Sequence, residues 1–166
     1  MIAEDHFLGN EELEQRMRPG QLSQGGFLGN SESLQNVIDA DALTLKTLGV
    51  DYAAIAGKLE ELILAAMNKS EQWISTGKFK VSVTIYPGFQ ICPWSPDIHS
   101  MQCTAGGGVR YASVQWKIAN NHNGMKLSGS GLAVHLIRDH HFFEGFDSPY
   151  RISPQDYIRL LGIKAI

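Results

Sequence analysis

Two cysteines and two histidines in the second half of the chain are residues of the types that ligate zinc: Cys92, Cys103, His135 and His140. A structural zinc ion takes four nitrogen or sulfur ligands in a tetrahedron, and thiolate and imidazole are among its usual ligands. The four side chains would complete such a set. We therefore predict a metal site formed by these residues, with zinc as the cofactor.

Both histidines belong to the stretch HLIRDHHFFEG at residues 135–145. On a helix with about 100° between successive residues, His135 and His140 flank one apolar face, whereas His141 faces away. Residues five apart are separated by about 140°, which is too wide for two ligands of one ion on a regular helix. We expect a tightened final turn, before the helix ends near Gly145, to bring the two imidazoles together.

The order of these ligands, two cysteines among strands and then two histidines on a helix, resembles that of a C2H2 zinc finger. The four residues between His135 and His140 lie within the spacing of such fingers, whereas the ten between the cysteines exceed the usual two to four or so. The resemblance implies a zinc ion that fastens a β-hairpin to a helix. It does not extend to DNA reading, because only Arg138 is strongly basic on the outward helix surface.

The same residues support two other interpretations. A histidine at the edge of an apolar helix face can be a hydrogen-bonded boundary residue, and buried cysteines can act as small hydrophobic side chains. In a metal- or thiol-dependent enzyme, Cys92 would be the nucleophile, His135 or His140 its base, and Asp139 the group that orients the imidazole. An open metal site would use the same ligands and keep one position for water.

Other chemically active side chains lie near this set in the sequence. His99, between the two cysteines, or His141 could replace one of the ligands, whereas His122 in NNHNG is expected to be a turn residue. Trp94 stands between two prolines and is a candidate exposed aromatic residue for binding. The paired phenylalanines at 142–143 are expected to anchor the helix in the core.

A helical hairpin is predicted over residues 30–70. Apolar residues recur there with the three- and four-residue spacing of an amphipathic helix, and Gly49 separates two such runs. Asn30 or Ser31 would cap the first helix and Asp51 the second. The second run continues without a short turn into a basic helix, which favours a packing hairpin over a DNA-binding helix-turn-helix.

Strands follow the hairpin. Residues 79–85 alternate apolar and polar side chains, as in a strand with one buried face, and an apolar stretch resumes at residues 89–94 after Pro87. A further strand is expected over 109–118, with a tight turn at Asn123-Gly124 and a partner strand beginning at Met125. Two helices close the chain, one beginning near Gly131 and one at Ser153-Pro154.

This order of elements predicts an α+β fold, in which an N-terminal helical hairpin packs on a small antiparallel sheet with two C-terminal helices. Residues 30–166 are predicted to be one domain, with the hairpin at 30–70 and the sheet and C-terminal helices at 77–166. Residues 1–29 are predicted to be an extended arm. This arm contains the motif FLGN, which occurs at residues 7–10 and again at 27–30, so Phe7 and Phe27 are candidates to fill grooves on a partner subunit.

Composition limits the classes of protein. Hydrophobic residues make up 43% and charged residues 19% of the 166 residues, and no apolar run is long enough for a membrane span. Residues 1–70 carry eleven acids and five bases (net −6) and residues 71–166 six acids and nine bases (net +3), which together give −3. The bases are scattered, which disfavours nucleic acid as a partner. With no apolar leader visible, we expect a cytoplasmic protein with reduced cysteines.

The sequence contains no motif that names a reaction. The first expectation is therefore a small soluble domain, stabilised by a structural zinc ion, that acts through protein partners or as a homo-oligomer. The alternatives are a metal- or thiol-dependent enzyme that uses Cys92, His135 and His140, and a nucleic-acid-binding domain that uses the helical hairpin.

Overall fold

A computed structural model of the protein describes residues 10–96, 103 and 111–165, so that His99 and Phe7 lie outside the described residues. It contains five α-helices, a four-stranded antiparallel sheet and a short 3-10 turn at Met67–Lys69, which confirms the predicted α+β class. The elements in chain order are α1 (Asn10–Met17), α2 (Leu34–Leu48), α3 (Tyr52–Ala66), β1 (Ile74–Thr76), β2 (Phe79–Ile85), β3 (Val114–Asn120), β4 (Lys126–Ser130), α4 (Leu132–His140) and α5 (Pro154–Leu161). None of the helices in these residues is long and apolar enough to cross a membrane.

The hairpin of α2 and α3 is defined by its caps. Gly49 ends α2 with a φ of 69°, and the Asp51 carboxylate accepts a hydrogen bond from the amide of Ala54, as predicted. The predicted cap at Asn30 or Ser31 is wrong. The hydroxyl of Ser33 accepts the amide hydrogen bond of Asn36 instead, so the first helix begins later than predicted.

The sheet has the order β1-β2-β3-β4, and every neighbouring pair is antiparallel. The strand predicted over 79–85 and the positive φ at Gly124 are confirmed. Three details of the prediction differ: β1 was missed, β3 begins at Val114 rather than at residue 109, and residues 89–94 form no strand. Strand β1 is only three residues long, so its sequence contains too little alternation of apolar and polar residues to be recognised as a strand.

Helix α3 lies at the centre of the larger core and contacts β2, α4 and α5. Its apolar face, with Ile55 and Leu59 completely buried, packs with Trp116 of β3 and the aromatic side chains that follow α4. Burial of a side chain of this size contributes about 1.5–3 kcal/mol. Helix α3 therefore links both C-terminal helices to the sheet, and α5 also contacts β3 directly.

Part of the predicted N-terminal arm is helical. Residues 10–17 form α1, whose Leu13 and Met17 are four apart and so lie on one side, where both are buried. Phe27 and Leu28 are also buried, in the same cluster as the two cysteines. Phe27 therefore fills a groove of its own chain, and the predicted extended arm is wrong for residues 10–17. The division of the chain at residue 29 stays a prediction.

A buried ion pair joins α2 to the segment before α5. The guanidinium of Arg151 donates to both carboxylate oxygens of Asp41, at 2.9 and 2.7 Å, and also to the backbone carbonyl of Glu144 at 2.7 Å. Burial raises the pKa of Glu144 to about 8, although the hydroxyl of Ser148 and the charge of Arg151 oppose the shift. The buried hydroxyl of Tyr157 is the other titratable group near this carboxyl group. The folded protein therefore holds the proton of Glu144 to a higher pH than the unfolded chain does.

We expect the free energy of unfolding of the wild type to fall as the pH rises from about 4.5 to about 8. Over that range the unfolded chain releases the proton of Glu144 while the folded protein keeps it, so unfolding becomes easier. Glu144→Gln should remove this dependence, a difference of roughly 2–3 kcal/mol after allowance for partial solvation. Urea unfolding at about pH 4.5 and at about pH 8 measures the free energy of unfolding of each protein. The exposed control Glu61→Gln should behave like the wild type, and equal slopes in all three proteins would contradict the assignment.

Candidate metal centre

The structure brings the four predicted ligands together. Their donor atoms, which come from positions up to 48 residues apart, all lie within 4.8 Å of one another. The two sulfur atoms are 3.6 Å apart, and Nε2 of His140 lies 3.4 Å from Sγ of Cys92 and 3.1 Å from Sγ of Cys103. Cys92, Cys103 and His135 are buried, and His140 is partly buried.

These separations suit a tetrahedral ion. With metal–sulfur bonds of about 2.3 Å and metal–nitrogen bonds of about 2.0 Å, the edges of the tetrahedron are about 3.8 Å between two sulfurs and about 3.5 Å between sulfur and nitrogen. The observed distances of 3.6, 3.4 and 3.1 Å are at or slightly below these edges. The two cysteines do not form a disulfide, which would place the sulfur atoms about 2.05 Å apart. Small movements of the four donor atoms would bring all of them within bonding distance of one ion.

His135 is held in the orientation of a ligand. Its Nδ1 is 2.7 Å from the Asp139 carboxylate one turn later on α4, while its Nε2 is buried and, among residues 10–96, 103 and 111–165, finds no hydrogen-bond partner. Burial lowers the pKa of His135, but the neighbouring Cys103 thiol and the Asp139 carboxylate outweigh it and the pKa is raised. Metal-binding histidines commonly carry such a carboxylate on the second ring nitrogen, where it fixes the tautomer.

The end of α4 brings the two histidines near each other. The helix stops at His140, and the amides of His141 and Phe142 both donate to the Leu136 carbonyl, with His141 at a φ of 55°. This final turn is wider than an α-helical turn, so the predicted tightened turn is wrong. The predicted end near Gly145 is also wrong, because the helix stops at His140. Widening also places residues five apart nearer to one side of the helix. The rings of His135 and His140 are accordingly 4.9 Å apart, centroid to centroid.

Trp94 covers the imidazole of His140. The two rings stack with their centroids 4.0 Å apart and an angle of 6° between their planes, and Phe142 contacts the indole edge. Trp94 is partly buried rather than fully exposed. Its position on the imidazole restricts the ring rotation of His140 and shields the cluster from water.

Helix α1 supports the loop that carries Cys92. The guanidinium of Arg16 donates to the carbonyls of Pro93 and Ser95, at 3.1 and 2.6 Å, and the amide of Ser95 donates to the carbonyl of Cys92. The sequence alone could not identify Arg16 as a supporting residue, because it lies almost eighty positions from the loop. Three separate parts of the chain therefore converge at this centre.

The burial of the thiols disfavours a catalytic cysteine. Cys92 is 1% and Cys103 7% exposed, and burial together with the adjacent Cys103 raises the pKa of the Cys92 thiol. A nucleophilic cysteine needs a lowered pKa and access to its substrate. In addition, Cys92 contacts His140 whereas Asp139 bonds to His135, so these contacts do not link nucleophile, base and carboxylate through one imidazole.

The remaining predicted residues lie as follows. His141 is exposed and stacks on Tyr52 of α3, with ring centroids 3.9 Å apart, so it points away from the cluster as predicted. His122 is an exposed turn residue. Phe142 and Phe143 are buried in the core, as expected.

Comparison of the chain with protein-family models, with curated proteins and with solved structures finds no match. Functional inference must therefore start from the geometry of the chain itself. The feature with the clearest chemistry in the described residues is the cluster of two thiols and two imidazoles.

We expect both cysteines of the native protein to react with 5,5′-dithiobis(2-nitrobenzoic acid) at least about tenfold more slowly than in denaturant, because both are buried and the thiolate form is disfavoured. Absorbance of the released thionitrobenzoate measures the two rates, and free cysteine serves as the reference. A native thiol that reacts as fast as free cysteine would show an accessible nucleophile and reverse the argument against a thiol enzyme.

Proposed function

We propose that Cys92, Cys103, His135 and His140 bind one zinc ion with a structural role, in a small domain that acts through protein partners or self-association. The observation that carries the proposal is the buried Nε2 of His135, which makes no hydrogen bond to the described residues although His135 belongs to the four-residue cluster. An unpaired buried polar atom costs about 1–3 kcal/mol. Coordination of an ion by this nitrogen would remove that cost.

A structural role is favoured by the number of protein ligands. Four side chains complete a tetrahedron, whereas a catalytic zinc ion has three protein ligands and keeps a position for water or substrate. The stacked indole of Trp94 further limits access from the side of His140. These features support a closed site over the open site of a metal-dependent enzyme.

The donor set favours zinc among common metals. Two thiolates and two imidazoles in a tetrahedral arrangement suit zinc, whereas calcium and magnesium require oxygen ligands. Bound zinc would fasten the Cys92 loop and Cys103 to α4, and it would do so at the place where Arg16 also holds the loop. The ion would thereby join the N-terminal part of the chain to the helices that close the fold.

An aromatic surface supports the proposed role in association. Ile85, Tyr86 and Phe89, at and after the end of β2, are each between 41% and 55% exposed. Clustered exposed apolar side chains are typical of protein-interaction sites. Sedimentation velocity over a range of protein concentrations tests self-association, and a monomer at every concentration would leave a different protein as the partner.

Purified protein is expected to contain about one zinc ion per chain, measured by mass spectrometry of the metal content. Cys92→Ala and His140→Ala should lose the metal and melt about 6–12 °C below the wild type, if the ion contributes about 3 kcal/mol. His122→Ala is the control, because it removes an exposed turn histidine that does not belong to the cluster. If the protein holds no stoichiometric metal and both ligand variants melt like the wild type, the zinc proposal is wrong.

Asp139→Ala is expected to weaken zinc affinity by about 10- to 100-fold while leaving four ligands in place, because it removes the carboxylate that orients His135. Competition with a chromogenic chelator measures the affinity. Asp39→Ala provides the control, since Asp39 is an exposed helical aspartate that also accepts one side-chain hydrogen bond. Equal affinities in both variants would show that the carboxylate of Asp139 does not support the site.

Cobalt substitution separates the structural proposal from the enzyme alternative. Co²⁺ bound by four protein ligands gives the intense visible absorption of a tetrahedral ion, whereas a site with additional water ligands absorbs weakly. The first spectrum would support the closed structural site. The second would replace it with an open site of the kind that metal-dependent enzymes use.

A further inference from the structure

A second concave feature lies between β4, α4 and the segment 142–152. It is a cavity of about 440 Å³, and none of the four metal-site residues lines it. Most of its wall is apolar, including the side chains of Leu132, Leu136, Ile137, Phe142, Phe143 and Ile152. Small-molecule sites are typically cavities of this size, with apolar walls and a few polar groups that fix the orientation of the ligand.

Small residues on β4 leave room for the cavity. Ser128, Gly129 and Ser130 follow one another along the strand and all line it. A Cβ atom at Gly129 would lie 2.7 Å from the indole of Trp116, so this strand cannot carry a larger side chain there without movement of the ring. The indole itself is fixed by a hydrogen bond to the carbonyl of Ser130. Gly129 thus allows the indole to pack directly against β4.

One polar group of the lining makes no hydrogen bond to any residue that the structure describes. Tyr157 of α5 is 3% exposed, and within the described part of the chain no hydrogen bond to its hydroxyl is formed. Because Tyr157 lines the cavity, its hydroxyl is available to a molecule bound there. A ligand atom with a lone pair could accept its hydrogen bond.

Glu144 provides a second polar group in the same lining. One oxygen of its carboxyl group accepts a hydrogen bond from Ser148 at 3.2 Å. The residue has a φ of 75°, a left-handed backbone conformation that is costly for residues other than glycine. Strained residues of this kind cluster at ligand-binding sites, where the surrounding structure holds them in place. Its carbonyl is held by Arg151 and its neighbour Gly145 donates to the carbonyl of Phe27.

We propose that this cavity binds a small, largely apolar, uncharged molecule that carries a hydrogen-bond acceptor such as a carbonyl oxygen. The hydroxyl of Tyr157 and the carboxyl group of Glu144 would both donate to that oxygen, and the apolar wall would cover the rest of the molecule.

The charged side chains near the cavity favour an uncharged ligand over a charged one. The guanidinium of Arg151, which also lines the cavity, would repel a cationic ligand. It already donates to both oxygens of Asp41, so it offers little to an anion. Lys126, the other cationic residue of the lining, places its ammonium group over the ring of Trp73, 5.1 Å from the centroid. The raised pKa of Glu144, caused by burial, agrees with a carboxyl group that keeps its proton and donates it in a hydrogen bond. A neutral acceptor is therefore the ligand that Arg151, Lys126 and Glu144 all tolerate.

Acetophenone and ethylbenzene are suitable probes, because they have similar shapes and only the ketone carries an acceptor. Chemical-shift titrations of the ¹⁵N-labelled, metal-loaded protein measure both affinities. We expect acetophenone to shift the amides of α4 and of residues 142–152. Tyr157→Phe should weaken acetophenone binding about tenfold relative to ethylbenzene binding, since it removes one hydrogen bond and leaves the apolar wall intact.

Filling the cavity provides an independent test. Ala133→Phe, on the part of α4 that lines the cavity, should abolish binding of both probes, whereas Ala65→Phe, on the exposed side of α3, should leave it unchanged. If Ala133→Phe does not fold, the Tyr157→Phe comparison still decides the proposal. Glu144→Gln keeps a donor and should keep acetophenone binding.

The proposal is wrong if neither probe binds, if Tyr157→Phe weakens both probes equally, or if protonated 1-phenylethylamine binds more tightly than acetophenone. These outcomes would leave the zinc proposal standing, because its ligands lie outside the cavity and metal content is measured separately.

Discussion

The burial of α4 on two of its sides is the constraint that organises this fold. Val134 and Ile137 pack into the core formed by α3 and the sheet, while Leu132 and Leu136 pack with the two cysteines and the N-terminal segment. A nine-residue helix has little stability of its own, so these contacts must hold it. His135 shares the second side and is consequently buried as well. The geometry of the cluster thus follows from how α4 is packed.

Local signals explain most of what the sequence predicted correctly. Gly49, Asp51 and Ser153 act at helix ends, where capping depends on residues within one turn, and the alternation of β2 depends only on its own seven residues. The four candidate ligands could be named because their residue types are selective for metals. Arg16 could not, since its role depends on a contact with a distant loop.

The predictions that were wrong also have physical explanations, which lie in contacts between distant parts of the chain. Residues 10–17 were expected to be extended because their sequence is polar, yet Leu13 and Met17 find apolar partners near Phe27 and the cysteines. The end of α4 was placed at a glycine, the usual residue with positive φ, whereas His141 takes that conformation and stacks on Tyr52. In both places a tertiary contact outweighs the local preference of the sequence.

The hydrogen bonds of Arg16 make the centre inseparable from the whole chain. They join positions 77 and 79 residues apart, and the thiol–imidazole contact of Cys92 spans a further 48. Each such contact requires closure of a long loop before it can form, so the centre should assemble late in folding. A short peptide that carries the four ligands would lack both α1 and the walls around α4. Unlike a zinc finger, this centre is not a portable module that could be transplanted into another protein.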